Sequence, residues 1–205
     1  RSFGCPKQSH AVHLSGVCVC AVLCCCLCCC LLSCCLLWGH PGPLGPAVFR
    51  LPEHTRRLLQ SAHILGMEIP YSVEELVAAT KATVASTGLP SCYIRPIAYY
   101  GYGEMGLNTL PCKVDVAVAC WPWGAYLGDD AVEKGVRMKI SSWTRHDHNT
   151  MPPAAKTVGN YVNSSLAKVE ALKAGYDEAI MLAPNGLVAE CTGENIFVSR
   201  NGTIF

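Results

Sequence analysis

The apolar and polar positions divide the chain into regions of different texture. Val17–Trp38 reads VCVCAVLCCCLCCCLLSCCLLW, 22 residues with no charge and one serine. Beyond it the pattern becomes periodic. Ala47–Arg50 is a short apolar strand candidate. In Glu53–Gly66, Leu58, Leu59, Ala62 and Leu65 share one helical face, and Gly66 stands where a left-handed cap is expected. Ser72–Thr87 reads as a second helix. Its Ser72-Val-Glu-Glu75 start is a capping box, Leu76, Val77, Thr80 and Val84 form the expected buried side, and Gly88 ends it.

Tyr93–Tyr100 (YIRPIAYY) is β-branched and aromatic, so it reads as a strand. Arg95 interrupts it, either at an exposed edge or facing a polar cavity. Gly101–Asn108 is a glycine-rich turn region, and Val114–Cys120 is so apolar that burial on both faces is expected. Val136–Ser142 is a further strand. Asn163–Ala174 reads as a helix with Leu166, Val169 and Leu172 inward. A meander follows: Glu178–Ala183 and Leu187–Cys191 join through Asn185-Gly186, and Asn195–Ser199 and Thr203–Phe205 through Asn201-Gly202. Asn-Gly is a strong hairpin signal.

These elements predict an α/β chain of the α+β kind in two domains. The expected boundaries are a leader at 1–44, a small domain at 45–120, a connector at 121–131 and a second domain at 132–205, with HPGPLGP (His40–Pro46) as the first break. The length, 205 residues, suits one large or two small domains. A net charge of +1 with mixed signs carries no nucleic-acid footprint. Fifteen cysteines point at first to disulfides or metal, but eleven lie in the first 35 residues, and the other four are isolated. From Gly45 onward the composition is that of a reduced, intracellular globular protein. For the leader two readings stand: a segment outside the native fold, or a membrane anchor at residues 17–38, since ~20 apolar residues span a bilayer. Adjacent cysteine triplets lack the spacing of zinc ligands.

Candidate chemistry centres on Ser141–Tyr161, SSWTRHDHNTMPPAAKTVGNY. Lys156 follows two prolines and two alanines, and no other ionisable side chain lies between His148 and Tyr161. An ordinary loop lysine is one reading. The other is an imine-forming lysine presented from a fixed loop, which partial desolvation or a cationic neighbour would activate. Tyr161 follows five residues later, Glu190 thirty-four residues after the lysine, and Arg57 lies upstream in EHTRRL. Pyridoxal 5'-phosphate needs this set of residue types. It takes a lysine for the imine, an acid to keep the pyridine nitrogen protonated, a tyrosine for the phenolate oxygen and an arginine for the phosphate.

The motifs YIRPIAYYGYGEMGLN, WPWGAYLG, SSWTRHDHNTMPPAAKTVGNY and GLVAECTGENIF, in that order, closely resemble branched-chain amino-acid aminotransferases of the bacterial type. These are class IV, fold type IV enzymes. The resemblance implies a D-amino-acid aminotransferase-like fold and ping-pong transamination of leucine, isoleucine or valine with 2-oxoglutarate. It further implies a cytoplasmic homodimer. By the same resemblance Lys156 is the catalytic lysine, Tyr161 lies near the cofactor phenolate, Glu190 lies at the pyridine nitrogen and Arg57 binds the phosphate. Tyr93 and Arg95 fall at the substrate side chain and the carboxylate of glutamate, and Trp123 and Tyr126 are aromatics closing over the substrate. As residues alone, the three aromatics also read as core or interface, and Arg57 as a solvated helix charge. Glu194 is expected to serve structure, and His146 and His148 to be loop residues; no metal is expected. The cysteine leader stands where the family has a His-Tyr-Gly start and a Phe-Glu-Gly centre, and the family continues well past Phe205. The expectation is therefore an incomplete aminotransferase. Two alternatives remain: another class IV member acting on D-amino acids or aminodeoxychorismate, and a non-catalytic remnant anchored in a membrane.

Overall fold

A computed structural model describes residues 10–13, 32–33, 39–42, 45–122, 134–201 and 203–204. It divides into two units, one of Arg1–Trp123 with Ala154–Thr157, the other of Gly124–Pro153 with Val158–Phe205. The anchor proposed at 17–38 lies outside the described residues apart from Leu32–Ser33, as do Trp123 and Tyr126. No helix among the described residues is long and apolar enough to cross a membrane.

The first unit is built on an antiparallel sheet. Strands β1 (His10–His13), β2 (Leu32–Ser33), β5 (Tyr93–Tyr100) and β6 (Val114–Trp121) lie in the order β1-β6-β5-β2. A separate two-stranded ribbon pairs β3 (Gly39–Gly42) with β4 (Gly45–Val48). Helices α1 (Leu51–Ile64) and α2 (Val73–Thr87) cover one face of the larger sheet. That face carries Ile94, Ala98 and Tyr100 from β5 and Val116, Val118 and Cys120 from β6. They pack on Leu51, Leu58, Ala62 and Leu76. β6 is therefore not equally buried on both faces as its composition predicted. Its burial alternates, because only one face meets helices.

α1 begins at Leu51 rather than Glu53, and the strand before it ends at Val48. Pro52 explains the earlier start, since proline suits a first helical turn, where its missing N–H has no partner to lose. Gly66 holds φ 68 just past the helix, as its sequence position predicted. The capping box of α2 forms in both directions: the Glu75 N–H donates to Ser72 Oγ at 3.2 Å, and the Ser72 N–H donates to Glu75 Oε2 at 2.8 Å.

In the second unit β7 (Met138–Ile140) runs parallel to β8 (Glu178–Leu182), and β8 is antiparallel to β9 (Val188–Cys191). Parallel neighbours need a crossover, here the helix α3 (Asn160–Lys173), and of the meander expected after it β8 and β9 pair in this sheet while the last two strands form a separate pair. The Asn185-Gly186 turn forms as expected, with Gly186 at φ 82. The last pair, β10 (Ser199–Arg200) and β11 (Thr203–Ile204), is shorter than predicted, and no strand covers Asn195–Val198.

α3 corrects the sequence reading most. Leu166, Val169 and Leu172, expected inward, are 42%, 48% and 54% exposed. The buried positions are Asn160, Ser164, Ala167 and Ala171. Ala167 and Ala171 pack on Ala179 and Met181 of β8, all fully buried. Small side chains let the helix approach the strand closely, and larger ones at those positions would hold it away. Beneath the sheet, Glu178 is 1% exposed and accepts from Lys168 Nζ and Thr192 Oγ1, each at 2.6 Å. Burial alone would raise the Glu178 pKa, but these donors outweigh it and lower it. Glu194 lies close by, its pKa raised by burial and then by the charge of Glu178.

Candidate active site

In the first unit, α1 presents His54, Arg57 and Ser61 at helical spacing, beside the stripe it buries. The backbone N–H of Lys156 donates to Ser61 Oγ at 3.1 Å. Ala155 is fully buried, Thr157 is 5% exposed, and the Thr157 N–H closes a tight turn on Ala155 O at 2.9 Å. The lysine is thus carried by an anchored backbone, as a fixed presenting loop requires. Arg57 Nη2 lies 3.2 Å from His54 Nδ1. The His54 pKa is lowered, first by burial, then by the Arg57 charge, with Lys156 adding to it. A neutral imidazole can accept from the guanidinium, and Arg57 and Lys156 both act on that ring.

On the sheet face away from the helices stand Tyr93, Arg95 and Trp121. Residues 93 and 95 share a face because side chains alternate along a strand. Trp121 joins them because the register pairs it with Tyr93. Arg95 Nη2 donates to the Tyr93 hydroxyl at 2.8 Å. Of the two sequence alternatives for Arg95, an exposed edge is excluded, since β5 is an inner strand and its guanidinium lies over two rings.

In the second unit, Glu190 ends the β8–β9 hairpin, and Arg145 holds it. Arg145 Nε donates to Glu190 Oε1 at 2.5 Å. Its Nη1 reaches Asn160 O at 3.1 Å, Asn163 Oδ1 at 3.0 Å and Ser164 Oγ at 3.1 Å. The backbone N–H of Arg145 donates to Leu182 O at 2.8 Å. The arginine side chain is 11% exposed and that of Glu190 42%, so the cation is fixed inside while the carboxylate opens outward. Both line a cleft of ≈ 600 Å³ with His146, Ala189, Ile196 and Phe197. The His146 pKa is lowered by burial and then by Arg145. Tyr161 is half-buried in the first turn of α3, its N–H bonded to Val158 O at 3.0 Å. Among the described residues no cluster of three or more histidine, cysteine or acidic side chains is arranged to hold a metal ion.

The structure therefore sets Arg57 beside His54, the Lys156 backbone on Ser61 of the same helix, Tyr93 against Arg95, and Glu190 on Arg145. The sequence reading had passed over His54, Ser61, Trp121 and Arg145. For His54 and Ser61 a signal was available, since they lie three residues before and four after Arg57 on one helix face. Arg145 had none, because its partner Glu190 is 45 residues away.

Residues 43–205 match the profile of the family Amino-transferase class IV. The branched-chain-amino-acid aminotransferase of Pseudomonas aeruginosa is 50% identical over 163 residues, covering 80% of this chain and 53% of that protein. The enzyme of the same name from Escherichia coli K12 is 43% identical over 162 residues, 78% of this chain and 52% of that one. Among solved structures, the T.th. branched-chain amino acid aminotransferase with pyridoxamine 5'-phosphate superposes with a TM-score of 0.78 at 49% identity. It covers 86% of this chain and 57% of that one. The E. coli branched-chain amino acid aminotransferase superposes with a TM-score of 0.81 at 39% identity and the same coverage. The chain belongs to the class IV aminotransferases, and its mixed α/β fold is theirs. It spans about half the length of the curated relatives it matches.

Proposed function

We propose that this chain supplies part of a homodimeric, pyridoxal-phosphate-dependent transaminase. The enzyme moves the amino group of leucine, isoleucine or valine to 2-oxoglutarate, leaving a branched-chain 2-oxo acid and L-glutamate. The observation that carries the reading is the seat of Lys156, whose backbone is tied to Ser61 on the helix that also bears Arg57 and His54. The names of the relatives support branched-chain substrates over D-amino acids or aminodeoxychorismate.

The residue types present are those the cofactor takes. Arg57 offers a guanidinium to its phosphate, with His54 as a neutral neighbour. Arg145 occupies Oε1 of Glu190 and leaves Oε2 to accept from a protonated ring nitrogen. The Tyr161 hydroxyl serves the phenolate oxygen. When bound, pyridoxal phosphate supplies an electron sink for the pair left on the substrate α-carbon. Lys156 is the amine that would hold the cofactor through its carbonyl group, with loss of water, and its amino group would take the substrate α-proton and return it. Arg95 receives the distal carboxylate of glutamate, Tyr93 borders the side-chain site, and Trp123 and Tyr126 close over the substrate.

The test is absorbance and turnover of the full-length protein supplied with pyridoxal phosphate. Wild type is expected to hold a visible cofactor band through dialysis and to transaminate leucine with 2-oxoglutarate, and Lys156→Ala to lose both. Unchanged turnover in that variant overturns the proposal. Light scattering reads the dimer.

A further inference from the structure

The way Arg95 is held contains more than its assigned role requires. Opposite Arg95 in the ladder stands Ala119, which offers little surface. The guanidinium instead lies over the neighbouring ring pair. Its Cζ is 5.1 Å from the centre of the Tyr93 ring and 5.5 Å from that of Trp121. The two rings are 4.7 Å apart and tilted by 33°, and Tyr93 is 4% exposed. Among the described residues Arg95 makes one side-chain hydrogen bond, to the Tyr93 hydroxyl. Its Nε is buried and has no acceptor among the described residues. A buried charged donor without an acceptor is costly, and an incoming anion removes that cost.

Aromatic faces attract a guanidinium and restrain its plane, yet they take none of its in-plane N–H groups. Those edge donors are what a carboxylate engages in paired hydrogen bonds. A lysine, aspartate or glutamine in place of the ring would compete for the guanidinium edge or repel it, whereas indole leaves it open. We propose that Trp121 is a positioning residue that sets the guanidinium plane of Arg95 for the distal carboxylate of the dicarboxylate substrate. It thereby tunes the recognition of glutamate and 2-oxoglutarate separately from that of the branched-chain substrates. This rests on the reading of Arg95 given under Proposed function.

The experiment uses the full-length protein with cofactor and the variants Trp121→Met, Trp121→Phe and Arg95→Gln. Trp121→Leu serves as a second ringless variant should the methionine form not fold. Binding of glutarate, an unreactive dicarboxylate, is measured by calorimetry, and KM is measured for 2-oxoglutarate and for leucine. Loss of the ring is expected to weaken glutarate binding and raise the KM for 2-oxoglutarate by about three- to thirty-fold, the range of a cation–π contact. The KM for leucine is expected to rise by less than that for 2-oxoglutarate, the remainder coming from the contact of Trp121 with Tyr93. Phenylalanine is expected to restore most of the loss. Ringless variants that bind glutarate as wild type does, while Arg95→Gln does not, overturn the role of Trp121 alone. An equal rise in KM for both substrates also overturns it. Unchanged glutarate binding in Arg95→Gln overturns the reading of Arg95 and this proposal with it.

Discussion

α1 and α3 are each 14 residues long, and each lays one face on a sheet, yet α1 buries leucines among small residues whereas α3 buries no large apolar side chain. α1 sinks Leu51, Leu58 and Ala62 into two apolar clusters and turns His54, Arg57 and Ser61 toward the lysine segment. α3 sinks Ala167 and Ala171 against β8 and leaves its largest apolar side chains half exposed. Its buried Asn160 and Ser164 contribute acceptors to Arg145. Burial thus follows how near two backbones must come, and only then the size of the apolar side chain. Where the gap is wide, leucine fills it; where the strand must lie close, alanine does.

The largest effect is expected from closing the narrow gap. Ala171→Leu overpacks the contact with Ala179 and Met181 and is expected to destabilise the second unit by about 1–3 kcal/mol, read by chemical denaturation. Wild-type stability in that variant would mean that α3 has room after all. A smaller effect is expected at Glu170, which ties α3 to β7. Lys139, Ser141 and the Ser142 N–H bind its carboxylate. Lys139 and then Ser141 pull its pKa from 4.5 to about 2. Because the folded value is depressed, the stabilisation is present above pH 4.5 and is lost as pH falls through about 2. Glu170→Gln is expected to lower the thermal midpoint at neutral pH and to flatten its acid dependence in that window. An acid profile identical to wild type would remove Glu170 as the tether. The smallest effect is expected at Leu166→Ala, within about 0.5 kcal/mol by the same denaturation measurement. A loss of several kcal/mol there would mean that this face of α3 is covered in solution.

The same contrast explains what was legible in the sequence. α1, α2 and β5 could be read because each pairs an apolar stripe of ordinary residues with caps or turn residues at fixed offsets. The Asn185-Gly186 hairpin was legible for a local reason, the positive φ that its glycine adopts. The buried face of α3 was not, because hydrophobic periodicity weights leucine and valine over alanine and serine, and here the small residues define the contact. At the site, residue types at recognisable spacing pointed to Lys156, Tyr161 and Glu190. Arg145 is joined to Glu190 only by folding, across 45 residues. Trp121 was read as the start of a connector; its pairing with Tyr93 makes it the end of β6.

The bond from Lys156 to Ser61 spans 95 residues. Residues 154–157 count with the first unit, while the residues on either side count with the second. During synthesis α1 exists long before its partner segment does. Contacts of such separation incur loop-closure entropy before they gain anything, and they form late. Lys156 thus gains its backbone anchor only once the chain has been made 95 residues past Ser61. The anchor of the Lys156 backbone rests on a contact that closes a loop of 95 residues, and the order of the chain makes it the last part of the first unit to be synthesised.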